Sequence, residues 1–171
     1  MVFHNELEAD AGILLNHLRG MAKSLRKLTP EQWDWTYAPA APTPRMIGTH
    51  TLAWLQCDRQ HINNPDATSH KPTPDSPTEP EAICLAIEAE ADEWETLLNS
   101  LTLEDLSKEY RQFGLEDRPM NVRGFVAHMV QNVIYKHGQF ATIFFALGFD
   151  GTVLYKAPYP NDLYREFLGI G

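Results

Sequence analysis

A lysine interrupts an otherwise apolar helical seam in the second half of the chain. Between residues 122 and 147, apolar side chains recur at alternating spacings of four and three, as in a helix that packs against other helices. The seam comprises Val122, Val126, Met129, Val133, Phe140, Ile143 and Leu147. Lys136 lies within this stripe, where a cation either extends along its stem to solvent or lines an internal site. The seam therefore locates a candidate site beside Lys136.

An earlier helix carries polar side chains on the face that also holds its core residues. At about 100° per residue, six side chains fall within roughly a third of the helical circle. They are Ile47, His50, Thr51, Trp54, Asp58 and His61. On the later helix, His128 and Asn132 precede Lys136 at four-residue intervals and face the same way. We predict a polar ligand-binding pocket between the two helices, lined by His50, Trp54, Asp58, His128, Asn132 and Lys136.

Each of these residues also has a purely structural interpretation. His61 is better explained as a hydrogen-bonded core histidine, His50 fits that interpretation as well as a functional one, and Asp58 can be an ion-pair partner. Trp54 and Trp94 fit core positions better than a platform for a ligand. The residue types therefore locate a site without fixing its chemistry.

Four amphipathic segments supply the elements that position these residues. Apolar spacing predicts helices over residues 5–27, 45–63, 79–101 and 122–147. Asn5 and Asn121 are suited to cap the first and fourth helices, and Gly148 to end the fourth. These features predict an all-α fold, a four-helix bundle.

The connections between the helices complete the predicted topology. Residues 64–80 contain five prolines in a polar background, which predicts a long surface crossover joining parallel helices 2 and 3. Residues 102–120 predict a helical turn with a small hairpin or lid. We expect one domain over residues 1–171, with a core of about 5–148. The tail, residues 149–171, is aromatic and turn-rich, with a last short helix around 161–168.

Charge and composition exclude several classes of partner. Twenty-three acidic residues against fourteen basic ones give a net charge of −9, which argues against nucleic acid or an anionic membrane as a partner. Cys57 and Cys84 are far apart in sequence and form no CxxC pair, so a disulfide framework is not indicated. The acidic N-terminus lacks the features of a signal peptide, and no apolar run approaches a membrane span. A cytoplasmic protein is the expectation.

Three short motifs resemble those of a known family. Leu28-Thr-Pro-Glu31 followed by a proline-rich link and Met46-Ile-Gly-Thr-His50 is similar to the entry to the second helix in the DinB/YfiT-like superfamily. His128-Met-Val-Gln-Asn132-Val-Ile-Tyr-Lys136-His137-Gly138-Gln139 resembles its fourth-helix signature. The resemblance covers about residues 5–148 and implies a DinB-like four-helix bundle.

The resemblance also implies a metal site of three histidines, one on the second helix and two spaced by four on the fourth. His50 matches the first ligand, but the other two positions fall on Asn132 and Lys136. A protonated lysine cannot bind a metal, and asparagine is a poor ligand for zinc or nickel. His137 points about 100° away from Lys136 on a regular helix. We therefore expect a degenerate triad and no metal cofactor, with zinc or nickel disfavoured.

Three functions remain open from the sequence. The leading hypothesis is a metal-independent protein that binds an unknown small molecule, with Lys136 supplying the positive charge that the metal would have supplied. The second is a metal-dependent hydrolase or thiol S-transferase with a rearranged site built on His50, for example with His128 and Asp58. The third is a structural or interaction bundle, such as a homodimer, with a vestigial site. Whether the protein is an enzyme is left open.

Overall fold

The fold is all-α, and four long helices form a bundle. A computed structural model describes residues 3–64, 77–110 and 120–150. The long helices are α1 (Glu6–Leu25), α2 (Pro44–Asn63), α3 (Pro80–Ser100) and α4 (Val122–Ala146), with 3-10 helices at Pro30–Asp34 and Asp105–Ser107. Each predicted helix is confirmed to within two residues at either end. The described helices include none long and apolar enough to cross a membrane.

The ends of the helices follow the capping residues in the sequence. The Asn5 side chain accepts a hydrogen bond from the backbone N–H of Glu8 at 3.0 Å. Asn121 caps α4 in the same way, accepting from Gly124 N–H at 2.8 Å. Gly148 follows α4 with a φ of +82°, a conformation that side chains with a Cβ rarely adopt. The three predicted helix boundaries are therefore confirmed.

Side-chain pairs between helices show the direction of each one. α1 lies between α3 and α4. Arg26, just after α1, bonds to Glu81 at the start of α3, whereas Arg19 bonds to Glu95 near its end. α1 and α3 are therefore antiparallel. α1 and α4 run parallel, because Arg123 at the start of α4 bonds to Glu6 at the start of α1, at 2.8 Å.

α2 completes the bundle between α3 and α4. Gly48 near its start packs against Ile83 near the start of α3, and Arg59 near its end bonds to Glu90 at 2.5 Å. α2 and α3 are therefore parallel, which confirms the long crossover connection between them. The path of residues 65–76 within this crossover lies outside the described residues, as does the short helix predicted at 161–168.

A pair of two-residue antiparallel strands precedes α4. Strand β1 (Glu109–Tyr110) pairs antiparallel with β2 (Met120–Asn121) in the register Glu109 to Asn121 and Tyr110 to Met120. The 3-10 helix before β1 and this hairpin match the turn and hairpin predicted between α3 and α4. Residues 111–119, between the strands, lie outside the described ranges.

The core lies where the apolar stripes of the four helices meet. In α4, all the seam residues predicted to be apolar contacts are buried except Leu147, which is partly buried. Trp94 is fully buried and its Nε1–H donates to the Leu55 carbonyl at 3.1 Å, which confirms it as a core residue. Cys57 and Cys84 are buried and are not joined by a disulfide.

Two glycines, one inside α4 and one just after it, give a matched test of backbone conformation. Gly138 lies inside α4, and, apart from its chain neighbours and the backbone of the surrounding helical turns, no described atom lies within 4 Å of where its Cβ would be. Gly138→Ala should raise the free energy of unfolding by about 0.5–1 kcal/mol, since alanine favours the helix. Gly148→Ala should lower it by about 1 kcal/mol because of its positive φ. Urea unfolding of both variants measures the two changes, and equal effects would contradict the assigned conformations.

Candidate functional site

A hydrogen-bonded acid–histidine pair joins α2 to α4. Asp58 is fully buried on α2, and its Oδ2 lies 2.6 Å from Nδ1 of His128 on α4. The His128 side chain is 38% exposed, so the ring spans from the buried carboxylate to the surface. A short contact of this kind is a strong hydrogen bond because the acceptor carries charge when Asp58 is ionised. The pair fixes both the register of the two helices and the orientation of the ring.

Trp54 connects this pair to His50. The Trp54 ring is edge-on to that of His128, with centroids 5.7 Å apart, and lies 6.2 Å from the ring of His50. Its indole Nε1–H donates to Nε2 of His50 at 3.2 Å. The three side chains Asp58, Trp54 and His50 occupy successive turns of α2. Trp54 is only partly buried, so it is a component of this surface as well as of the core.

The bond from Trp54 determines the protonation state of His50. Because the indole can only donate, Nε2 of His50 must accept, and the imidazole is then neutral. Partial burial and the positive charge of Lys136 lower the pKa of His50, which also favours the neutral ring. Lys136 is on α4, so its charge acts on His50 across the contact between the two helices.

Lys136 is a partly buried cation held by neutral groups. Its Nζ donates to Oε1 of Gln139 at 3.3 Å and lies 5.4 Å from the centroid of the Tyr135 ring. Burial lowers the pKa of the Lys136 ammonium. The sequence predicts that a cation at this place in the seam pairs with a carboxylate such as Asp58. That pairing with Asp58 is wrong, since the Asp58 carboxylate bonds to His128, two helical turns from Lys136. Among the described residues, Lys136 has no carboxylate partner.

The predicted inward face of α2 is correct in part. Ile47, Thr51, Asp58 and His61 are buried, but His50 is exposed at the open edge of the contact with α4. The interpretation of His50 as a buried core histidine is therefore wrong. Its position on the margin of the stripe leaves it beyond the side chains that close the core.

Asn132 is partly buried on α4, midway between His128 and Lys136. Of the six predicted residues, the structure thus connects Asp58, His128, Trp54 and His50 by direct contacts. Lys136 joins them through its electrostatic effect on His50. That the six enclose a ligand pocket stays a prediction. A cavity of about 250 Å³ lies elsewhere, between the start of α1 and the end of α3.

A pair of buried histidines, which the sequence did not predict, joins α1 to α4. The predicted angle turned His137 away from Lys136, and in the structure the ring faces α1, where its Nδ1 lies 2.8 Å from Nδ1 of His17. Both rings are buried. His17 lies three residues after Leu14 and four before Met21, so its place on the apolar stripe of α1 was the available signal. Only the packing of α1 against α4 shows that the two imidazoles meet.

The family of the chain follows from comparison with known proteins. The sequence model of the DinB superfamily (DinB_2) matches residues 14–140, about three quarters of the chain. This protein belongs to the DinB superfamily. No curated protein and no solved structure matches the chain. The match spans α1 to α4, so it includes both helices that carry the candidate site.

The residues at the expected ligand positions do not fit a metal ion. The Lys136 ammonium has no free electron pair, and Asn132 offers only an amide. Nε2 of His50 is already bonded to the Trp54 indole N–H. Within residues 3–64, 77–110 and 120–150, no three His, Cys, Asp or Glu side chains are grouped so that they could hold a metal. The side chains at these positions are therefore a poor donor set for a metal ion.

Proposed function

We propose that the protein binds a small anionic molecule at the face formed by α2 and α4, without a metal. The observation that carries the proposal is the partly buried ammonium of Lys136, which has only Gln139 and the Tyr135 ring as described partners. A cation removed from water without an opposite charge is costly, and an anion from solution would offset that cost. The ammonium then supplies the positive charge that a metal would have supplied.

The neighbouring side chains support binding of an anion with an apolar part. His50 is neutral, so the positive charge at this end of the face comes from Lys136, and Trp54 presents an indole ring one helical turn along α2 from His50. An aromatic surface beside a cation suits a carboxylate with an aliphatic arm. Asn132, one turn from Lys136 on α4, can donate or accept a further hydrogen bond.

The proposal predicts that Lys136→Met strongly weakens anion binding and leaves the bundle folded. Methionine fills the seam with a similar volume, but it removes the charge. The probe is hexanoate, with neutral hexanamide as the matched control, titrated in the presence of a chelator. Binding is measured from the chemical shift of the Trp54 indole N–H, a signal that the parent protein and the Lys136→Met variant share. We expect hexanoate, but not hexanamide, to bind, and its Kd to rise at least about tenfold in the variant.

Lys27→Gln is the control for overall charge, since it removes one exposed cation that lies outside this face. Unchanged hexanoate binding in Lys136→Met, or equal binding of the two probes, would contradict the proposal. Elemental analysis of protein prepared without a histidine tag tests its metal-independence. One tightly held zinc or nickel per chain would favour the alternative of a rearranged metalloenzyme.

A further inference from the structure

The Asp58–His128 pair has a chemical capacity that anion binding does not use. We propose that His128 is a general base, positioned by Asp58, and that the protein hydrolyses small esters with an anionic group at the far end of the acyl chain. This inference rests on the proposed function, because Lys136 holds that anionic group. It adds a reaction to the binding of the anion at this site.

The hydrogen bond assigns the two nitrogens of the ring. Oδ2 of Asp58 is an acceptor when ionised, and Nδ1 of His128 lies 2.6 Å from it, so Nδ1 carries the proton. In the neutral imidazole the free electron pair is then on Nε2, at the edge of the ring away from Asp58. Because Asp58 is 0% exposed and His128 is 38% exposed, the basic nitrogen lies on the solvent side of the pair. This is the state that a general base requires.

Packing holds the ring in this orientation. Asp58 and His128 both project from long helices, and the Trp54 ring contacts the His128 ring edge-on at 5.7 Å between centroids. A base on rigid elements is more precisely placed than one on a loop. The carboxylate also stabilises the imidazolium that forms when the base takes a proton. Asp58 is thus a positioning residue, since it acts through His128.

The separation of base and cation defines the class of substrate. His128 and Lys136 lie eight residues apart on α4, which is about 12 Å along the helix axis at about 1.5 Å per residue. The Trp54 ring lies between the rings of His50 and His128, where an aliphatic chain could contact it. An elongated acyl chain with a carboxylate at one end and an ester at the other matches this order of groups.

The reaction consumes one water molecule. Nε2 of His128 removes a proton from water as the water oxygen bonds to the acyl carbon of the ester. The bond from that carbon to the alcohol oxygen then breaks, and the imidazolium returns its proton to the departing oxygen. The products are a dicarboxylic acid and an alcohol, and the base is restored. No metal or redox partner is needed.

Two matched esters test the inference in the presence of a chelator. Mono-4-nitrophenyl adipate carries the terminal carboxylate, and 4-nitrophenyl hexanoate has the same acyl chain length without it. We expect the adipate ester to be hydrolysed with a lower KM than the hexanoate ester. His128→Gln should reduce kcat about 100-fold or more, the usual contribution of a general base. Glutamine can still donate to Asp58, so the buried carboxylate keeps a partner and the fold is retained.

Asp58→Asn should lower kcat with little change in KM, and should shift the ring-nitrogen NMR signals of His128 as the tautomer changes. A merely structural role for Asp58 would not produce that combination. His4→Gln, at an exposed histidine, is the control for hydrolysis by any surface imidazole and should have no effect.

The outcomes separate this inference from the proposed function. Hexanoate binding that depends on Lys136, without hydrolysis of either ester, overturns the general base and leaves the binding function intact. Hydrolysis that is lost in His128→Gln but equal for the two esters, with KM unchanged in Lys136→Met, supports the base and overturns the anion site. Activity that survives in His128→Gln, or that is lost on chelation, overturns the inference.

Discussion

Lowering the pH from about 7 to about 4 should remove roughly 3 kcal/mol of the free energy of unfolding through the buried pair His17–His137. Desolvation, with a smaller effect of His137, lowers the pKa of His17 from 6.5 to about 4. Burial lowers the pKa of His137 as well. One of the two rings donates from Nδ1 and the other accepts at Nδ1. A proton added to the accepting nitrogen would place two N–H groups face to face.

The direction of the effect follows from proton binding in the two states. Between pH 6.5 and about 4, the unfolded chain binds a proton at His17 that the folded protein does not. The stability due to the neutral ring is therefore complete above about pH 6.5, and it is lost as the pH falls toward 4. A loss of about 3 kcal/mol is a large fraction of the 5–15 kcal/mol typical of a domain.

Denaturant unfolding at a series of pH values measures this loss. The double variant His17→Leu/His137→Leu replaces both imidazoles with apolar side chains, so its free energy of unfolding should fall less steeply between pH 6.5 and 4.5. His4→Gln, at an exposed histidine, should retain the steep dependence of the parent protein. A double variant with the parent's slope would show that other groups cause the acid sensitivity.

Restoring the two missing histidines should give the protein a zinc site. In Asn132→His/Lys136→His, two imidazoles one turn apart on α4 would face His50 on α2. At a zinc concentration about 100 times the Kd, binding to the folded state adds about 2.7 kcal/mol. That corresponds to a rise in Tm of roughly 5–10 °C for a domain of this size. Calorimetry and elemental analysis measure the two effects.

The structure adds a third substitution to this experiment. Because the Trp54 indole N–H occupies Nε2 of His50, Trp54→Phe in the double variant should free the nitrogen and tighten zinc binding. The matched control is Gln131→His/Tyr135→His, which places the same pair at exposed positions of α4. It should bind zinc much more weakly. A well-folded Asn132→His/Lys136→His variant that takes up no zinc would refute the positional correspondence with the family's ligands.

Local chemistry explains why the bundle could be predicted from the sequence. Helix caps depend on a side chain a few residues from the N–H that it satisfies, as at Asn5 and Asn121, and apolar spacing depends on the helical repeat alone. The proline-rich residues 64–80 likewise predicted a long crossover, and the parallel directions of α2 and α3 agree. The same reasoning identified Lys136 as the exception in the seam of α4.

The partners of the polar side chains were decided by tertiary structure. Whether Asp58 meets Lys136 or His128 depends on the register of α2 against α4, and a shift of two turns exchanges one for the other. The contact between His17 and His137 likewise depends on how α1 is rotated against α4. His50 was placed on the inner face by its angle, but the margin of the core lies just inside it. Sequence spacing fixes which residues share a face of one helix, whereas rotation and register between helices fix which faces meet.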